Sequence, residues 1–171
     1  MRGTITDRNG IPLATSRVAD LQAQAARLGL GDRFVFAGFR RDVAATVSAF
    51  DLSVFPSLWE GTPLTVFEAL AMGKPIVATD ADGLLDVLTD RQDALIVPKA
   101  NADALAGAVV ELLEHPDVAT RLGQEARKTG QHYDIAAFVR KMERLYDLLH
   151  ASSRATRRAG ILKADLGFLT E

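Results

Sequence analysis

A strand–helix–strand pattern in the middle of the sequence constrains the fold more than any other feature. Residues 52–55 (Leu-Ser-Val-Phe) are a short apolar, β-rich run of the kind that forms a buried parallel strand. Thr62 and Pro63 then predict the start of a helix, with Thr62 as N-cap and Pro63 at the first helical position. Gly73 predicts its end, because glycine readily adopts the left-handed conformation that ends helices. A second strand is predicted at 74–78.

Strands and helices alternate along most of the remaining chain. Helices are predicted from residue 15 or 16 to 28 and at 42–50, 101–115, 118–130 and 134–150, with strands at 33–37 and 93–98. We therefore predict an α/β fold, a Rossmann-like parallel sheet with helices on both faces and ligand sites at the carboxyl ends of the strands. Residues 1–150 are expected to form this domain and residues 151–171 a mobile tail.

Length and composition exclude several classes of function. The 171 residues suffice for one domain, and 20 Lys and Arg against 22 Asp and Glu give no indication of a nucleic-acid surface. The absence of cysteine excludes disulfides and thiol catalysis. No apolar run is long enough to cross a membrane and no signal peptide opens the sequence, so a cytoplasmic location is predicted. Peripheral membrane contact is left open. Three arginines near the end (Arg154, Arg157 and Arg158) could meet anionic lipid, although a solvated tail is the favoured interpretation.

The predicted helix start forms an anion site. The first turn leaves the backbone N–H groups of Leu64, Thr65 and Val66 without acceptors inside the helix, and the positive end of the helix dipole adds to them. These donors suit a phosphate. Gly61, in the preceding loop, would let the backbone approach the ligand closely.

Two glutamates flank this anion site. Glu60 stands in the loop before the helix, and Glu68 lies on the helix itself. Because a carboxylate repels phosphate, we expect each to accept hydrogen bonds from neutral groups such as sugar hydroxyls. A phosphate site between two such acceptors indicates a sugar nucleotide.

These residues also carry a resemblance to a known family. Glu60 and Glu68 are separated by seven residues, with Pro63-Leu64 between them and the run 73–78 (Gly-Lys-Pro-Ile-Val-Ala) after them. The pattern resembles the Glu-x7-Glu signature of the family 4 (group 1) retaining glycosyltransferases of the GT-B fold. The resemblance implies the C-terminal, donor-binding domain of such an enzyme, with C-terminal helices that cross back toward an N-terminal, acceptor-binding domain. It implies transfer of a hexosyl group from a UDP-, GDP- or ADP-sugar. No metal or other cofactor is expected, because Asp80 and Asp82 stand in their loop without further ligands.

The resemblance assigns roles to individual residues. Thr65 and the N–H groups near Leu64 would hold the distal phosphate, and Glu68 would accept hydrogen bonds from the ribose. Glu60 is the candidate catalytic residue, since it would contact hydroxyls of the transferred sugar and orient the anomeric carbon; no protein nucleophile is assigned. The donor-binding set in this segment comprises Gly61, Thr62, Pro63, Leu64, Thr65 and Glu68.

A second candidate site lies at the turn after the predicted strand 33–37. Ligands bind at the carboxyl ends of strands in open α/β sheets, and the turn contains Phe39 and Arg40. It resembles the family turn whose backbone reads the nucleobase, and this implies main-chain contacts to the base with Arg40 stacking or reaching phosphate. Alternatively, Phe39 covers the core and Arg40 is simply solvated.

The sequence also departs from the family pattern. Relatives often have Gly-Gly followed by Glu after the strand at 74–78, whereas this chain has Asp82-Gly83 and Asp86. The Arg and Lys that neutralise the leaving diphosphate are not found, and neither is the acceptor-binding domain. We therefore expect weak donor binding and little transfer by this chain without that N-terminal domain or a partner chain. Alternatives are a non-catalytic remnant, one subunit of a split transferase, half of a sugar-nucleotide 2-epimerase-like protein, and a generic Rossmann-like domain.

Overall fold

A computed structural model describes residues 5–6, 12–14 and 18–156, and the chain divides into two compact units, residues 1–41 and 42–171. In the first unit, two short strands pair in antiparallel fashion, and a helix and a single 3₁₀ turn follow. Their bounds are β1 Ile5–Thr6, β2 Pro12–Ala14, α1 Val18–Arg27 and the 3₁₀ turn Gly31–Arg33. The predicted first helix is confirmed.

The predicted buried strand at 33–37 is wrong. Residues 34–37 form no strand, and their side chains are exposed, Val35 at 78% and Phe34 at 51%. The rings of Phe34 and Phe36 are tilted by 56° to each other, with centroids 5.0 Å apart. A β-rich run becomes a strand only when a neighbouring strand accepts its backbone hydrogen bonds, and no described strand pairs with this one.

The second unit follows the predicted alternation of strands and helices, apart from a short helix, α4, that was not predicted. Its elements are α2 Val43–Ser48, β3 Ser53–Phe55, α3 Leu64–Ala71, β4 Ile76–Thr79, α4 Asp82–Leu85, β5 Leu95–Val97, α5 Ala102–Glu114, α6 Pro116–Gln131 and α7 Ile135–Thr156. Helix α7 continues past the predicted domain end at residue 150, and the rest of the predicted tail lies outside the described residues. The predicted crossing of the C-terminal helices toward another domain stays a prediction.

Three parallel strands form the centre of this unit in the order β3-β4-β5. Every residue of β4 is buried, which explains its continuous apolar sequence. Ile76 and Ala78 point into a core shared with α3 and α4, whereas Val77 points into a second core shared with α5 and α6. Since successive side chains of a strand point to opposite faces, helices cover both faces of the sheet, as predicted.

Close backbone contacts hold α3 against α6 and fix where α3 ends. Gly73 has φ +64°, which confirms its predicted role at the helix end. A Cβ placed on Gly123 of α6 would lie 2.5 Å from the Gly73 carbonyl oxygen, so only glycine fits there. Lys74 then donates to the carbonyl oxygens of Ser48 and Phe50, at 2.7 and 2.8 Å, and thereby caps the end of α2. Helix α3 is therefore held firmly at its C-terminal end.

Candidate functional site

The candidate site lies at the carboxyl edge of the three-stranded sheet. The loop at 56–63 leaves the end of β3 and leads into α3, beside the point where β4 ends at Thr79. Ligands of open α/β sheets bind at this edge. The structure thus brings together, on one loop and one helix, seven of the nine predicted site residues: Glu60, Gly61, Thr62, Pro63, Leu64, Thr65 and Glu68.

The tip of α3 is open to solvent. Leu64 is 78% exposed, and Thr62 and Thr65 are exposed as well. The N-cap is Pro63, in an extended conformation (φ −71°, ψ 125°), and no side chain caps the tip. The prediction of Thr62 as N-cap and Pro63 as first helical residue is therefore wrong by one position.

That shift changes which donors remain available at the helix tip. The Val66 N–H donates to the Pro63 carbonyl oxygen at 3.1 Å, so it is already used within the first turn. The N–H groups of Leu64 and Thr65 precede any possible intrahelical acceptor. The exposed tip consequently offers two backbone donors, where the sequence predicted three.

The Glu60 carboxylate is held by its own loop. Ser57 Oγ donates to Glu60 Oε1 at 2.8 Å, and the Glu60 side chain is half-buried. The Thr79 hydroxyl at the end of β4 donates to the Ser57 carbonyl oxygen at 2.5 Å and lies 3.4 Å from that of Phe55. Glu60 is therefore tied, through Ser57, to the sheet edge.

Glu68 is placed differently. It lies in α3, four residues after the helix begins, which is about 6 Å along the axis. Its side chain is half-buried and makes no hydrogen bond or ion pair with any residue that the structure describes. Both oxygens of this carboxylate therefore remain acceptors.

The loop is also wedged against the start of α4. A Cβ added to Gly83 would lie 1.1 Å from the Gly61 carbonyl oxygen and 2.8 Å from that of Glu60. A Cβ at Gly61 would meet nothing within 4 Å. Sterically it is Gly83, not Gly61, that the fold itself requires. The predicted role of Gly61 in close approach of a ligand stays a prediction.

The two remaining predicted residues, Phe39 and Arg40, belong to the first unit. Phe39 is 86% exposed, so it does not cover the core. The turn that contains them does not follow a strand, because 34–37 form none. The main-chain contact of this turn to a nucleobase stays a prediction.

Asp80 and Asp82 follow β4 at this edge of the sheet. Asp80 Oδ1 accepts a 2.6 Å hydrogen bond from the Lys99 N–H, and Asp82 begins α4. Among the residues that the structure describes, no three His or acidic side chains gather into a possible metal site. The expectation of a metal-free reaction stays a prediction.

No helix in the described part of the chain has the length and apolar character needed to span a bilayer.

Three residues with a structural role at this site escaped the sequence reasoning: Ser57, Thr79 and Gly83. The spacing of Ser57 and Glu60, three residues apart, is a usable local signal for a side-chain hydrogen bond. Thr79 and Gly83 contact residues more than twenty positions away in sequence, so no local sequence pattern predicts their roles.

Comparisons with known proteins identify the family of this chain. Residues 12–115 match the family model described as glycosyl transferases group 1. EpsD of Bacillus subtilis (strain 168) is 30% identical over 125 residues, which are 73% of this chain and 33% of that protein. The chain thus spans about a third of the length of this curated relative.

Solved structures extend the likeness to the fold. Sucrose-phosphate synthase from Thermosynechococcus elongatus matches with a TM-score of 0.75 and 30% identity, over 86% of this chain and 37% of that one. HepE from Anabaena, in complex with UDP-glucose, matches with a TM-score of 0.73 and 25% identity, over 76% of this chain and 36% of that one. The chain therefore belongs to the group 1 glycosyltransferases and has part of their GT-B fold.

Proposed function

We propose that this chain is the donor-binding part of a retaining glycosyltransferase that moves a hexosyl group from a nucleotide-diphosphate sugar to an acceptor. One observation carries the proposal: an uncapped, solvent-open helix tip lies at the carboxyl edge of a parallel sheet, with half-buried carboxylates on its loop and on its helix. The N–H groups of Leu64 and Thr65 and the helix dipole would bind the diphosphate. The carboxylates of Glu60 and Glu68 would then accept hydrogen bonds from hydroxyls on either side of it.

HepE supports the donor class, because this structural neighbour was solved with UDP-glucose. Neither Glu60 nor Glu68 forms an ion pair with a described cation, so both keep acceptor capacity for neutral hydroxyls. The single hydrogen bond to Glu60 uses only part of the four lone-pair positions of a carboxylate. UDP-, GDP- and ADP-sugars all present the required diphosphate and ribose, and the base stays open.

This chain would provide only some of the groups that the chemical step needs. The anomeric carbon–oxygen bond to the diphosphate breaks, an acceptor hydroxyl oxygen bonds to that carbon, and the hydroxyl proton passes to the departing diphosphate. Negative charge builds on the departing diphosphate, where the two N–H groups would stabilise it. Lys74 is the cation that follows Glu60 and Glu68 most closely in sequence, and its ammonium group donates to the carbonyl oxygens of Ser48 and Phe50 at the end of α2. We infer that additional cations, an acceptor site and exclusion of water come from an N-terminal domain or partner chain.

The same reasoning makes the chain without that partner a weak donor binder with little turnover. A split-transferase subunit and a fragment of a longer enzyme share this expectation, since the chain spans about a third of its relatives. Mixing with a candidate acceptor-binding chain would restore transfer in both cases, whereas a remnant would stay inactive. An epimerase-like half would also need its second domain, and the completed protein would convert the nucleotide sugar without any acceptor.

Donor binding is tested first by thermal shift with UDP, GDP, ADP and one sugar conjugate of each. At tenfold excess over its dissociation constant, a ligand stabilises the fold by about 1.4 kcal/mol, which corresponds to roughly 3–6 °C in melting temperature for a chain of this size. If all six compounds leave the melting temperature unchanged at millimolar concentration, the donor-site proposal is wrong.

The ribose assignment is tested by Glu68→Gln. The amide keeps the shape of the side chain but replaces one acceptor oxygen by a donor, so we expect about tenfold weaker binding of the preferred nucleoside diphosphate in calorimetry. Glu114→Gln is the matched control, because Glu114 is an exposed glutamate at the end of α5. Equal affinities of the two variants would refute the role of Glu68.

A further inference from the structure

A hydrogen-bonded chain runs from the carboxyl end of β4 to the carboxylate of Glu60. The Thr79 hydroxyl donates to the Ser57 carbonyl oxygen, and the Ser57 hydroxyl donates to Glu60 Oε1 at 2.8 Å. Thr79 is 3% exposed and Ser57 is half-buried, and each hydroxyl donates a hydrogen bond within the loop and sheet edge. The chain joins residues that are 22 positions apart in the sequence, and the parallel pairing of β3 with β4 brings them together.

This arrangement fixes one oxygen of Glu60 and leaves the other open. A glutamate on a loop has several rotamers, and ordering one of them on ligand binding costs conformational entropy. Ser57 selects one rotamer in advance by occupying Oε1. Oε2 accepts no hydrogen bond from any described residue, so it remains for a ligand hydroxyl.

The backbone of the loop is held from a second side. The carbonyl oxygen of Gly61, directly after the glutamate, packs onto the face of Gly83 where any other residue would carry Cβ. Thr79 and Gly83 flank the turn from β4 to α4. One short segment of chain therefore contacts the loop on both sides of Glu60, through a hydroxyl before it and a bare backbone after it.

We propose that Ser57 and Thr79 are positioning residues, which orient the Glu60 carboxylate toward the sugar of the bound donor and have no part in binding the nucleotide. The inference rests on the proposed function, because it takes Glu60 to contact the sugar and the tip of α3 to contact the diphosphate. It predicts a specific signature: loss of either hydroxyl weakens recognition of the sugar conjugate and leaves recognition of the nucleoside diphosphate unchanged.

The experiment compares two dissociation constants for each variant by calorimetry. The probe pairs are UDP with UDP-glucose, GDP with GDP-mannose and ADP with ADP-glucose, and the measured quantity is the ratio of the diphosphate constant to that of its sugar conjugate. Ser57→Ala and Thr79→Val are expected to lower this ratio by about tenfold, the loss typical of a misplaced hydrogen bond to a charged group. Thr79→Ser keeps the hydroxyl and should retain a ratio close to that of the unchanged protein.

A double-mutant cycle separates positioning from general damage to the fold. Glu60→Ala should lower the ratio by at least as much as Ser57→Ala, and adding Ser57→Ala to Glu60→Ala should lower it no further. A purely structural effect of Ser57 would instead persist without the glutamate. Melting temperatures of all variants show whether they are folded during the titrations.

Each outcome bears on a different statement. If no diphosphate binds the unchanged protein, the proposed function fails, and this inference with it. If Glu60→Ala lowers the ratio but Ser57→Ala and Thr79→Val do not, positioning by the hydroxyls is refuted and the donor site stands. A Ser57→Ala variant that loses diphosphate and conjugate affinity equally also refutes the inference, as does a ratio that is insensitive to Glu60.

Discussion

Replacing Gly83 by alanine tests whether backbone packing at the sheet edge holds the Glu60 loop. The added Cβ would lie 1.1 Å from the Gly61 carbonyl oxygen and 2.2 Å from its carbon. Ordinary contact begins near 3.4 Å, so the oxygen would have to retreat by roughly 2 Å. Because backbone atoms rather than a flexible side chain must move, we expect a cost near the upper end of the usual range for overpacking, about 3 kcal/mol.

Part of that cost is offset. Gly83 lies in α4, and alanine in a helix is favoured over glycine by about 1 kcal/mol. The net destabilisation is then about 2 kcal/mol, or roughly 4–8 °C in melting temperature. Circular dichroism during heating measures it, and urea denaturation provides an independent value of the free energy of unfolding.

Gly107→Ala is the matched control for this substitution. Gly107 also lies within a helix, α5, but a Cβ there would meet nothing within 4 Å. Only the helix-propensity gain remains, so we expect the melting temperature to rise by about 2–4 °C. The two Gly→Ala variants should thus shift stability in opposite directions, and a Gly83→Ala protein that melts at or above the unchanged protein would refute the packing argument.

Two further substitutions test the support of the fold behind the site. Asp93 is 1% exposed and accepts hydrogen bonds from the Thr89 N–H and the Thr129 hydroxyl, both at 2.8 Å. Asp93→Ala leaves these two donors unpaired and should lower the free energy of unfolding, measured by urea denaturation, by about 2–3 kcal/mol. Thr129→Val removes only one of the two bonds and should lower it by about 1 kcal/mol. Equal effects of the two would contradict a double role of this carboxylate. Asn101 caps α5 by accepting from the Ala104 N–H at 3.0 Å, so Asn101→Ala should lower the urea midpoint by an amount equivalent to about 1 kcal/mol, and Asn101→Asp, which keeps the acceptor, should not.

Local sequence patterns determined the order of elements in the second unit, apart from the short helix α4, and the position of the motif. Three features depend only on residues that are close together in the chain. They are the apolar runs at β3, β4 and β5, the glycine at the end of α3, and the spacing of Glu60 and Glu68. Patterns of that kind report local conformation and burial directly, which is why these predictions agree with the structure.

Tertiary structure decided what depends on distant partners. The run at 34–37 has the composition of a strand yet forms none, because a strand also needs a neighbouring strand to pair with, and no described strand pairs with this run. The glycine that the fold requires beside the motif is Gly83 rather than Gly61, since the steric demand comes from another segment. The orientation of Glu60 likewise depends on Thr79, which reaches the loop only through pairing of two parallel strands. Residue type and spacing therefore located the candidate site, and the packing of separate segments against one another determined its geometry.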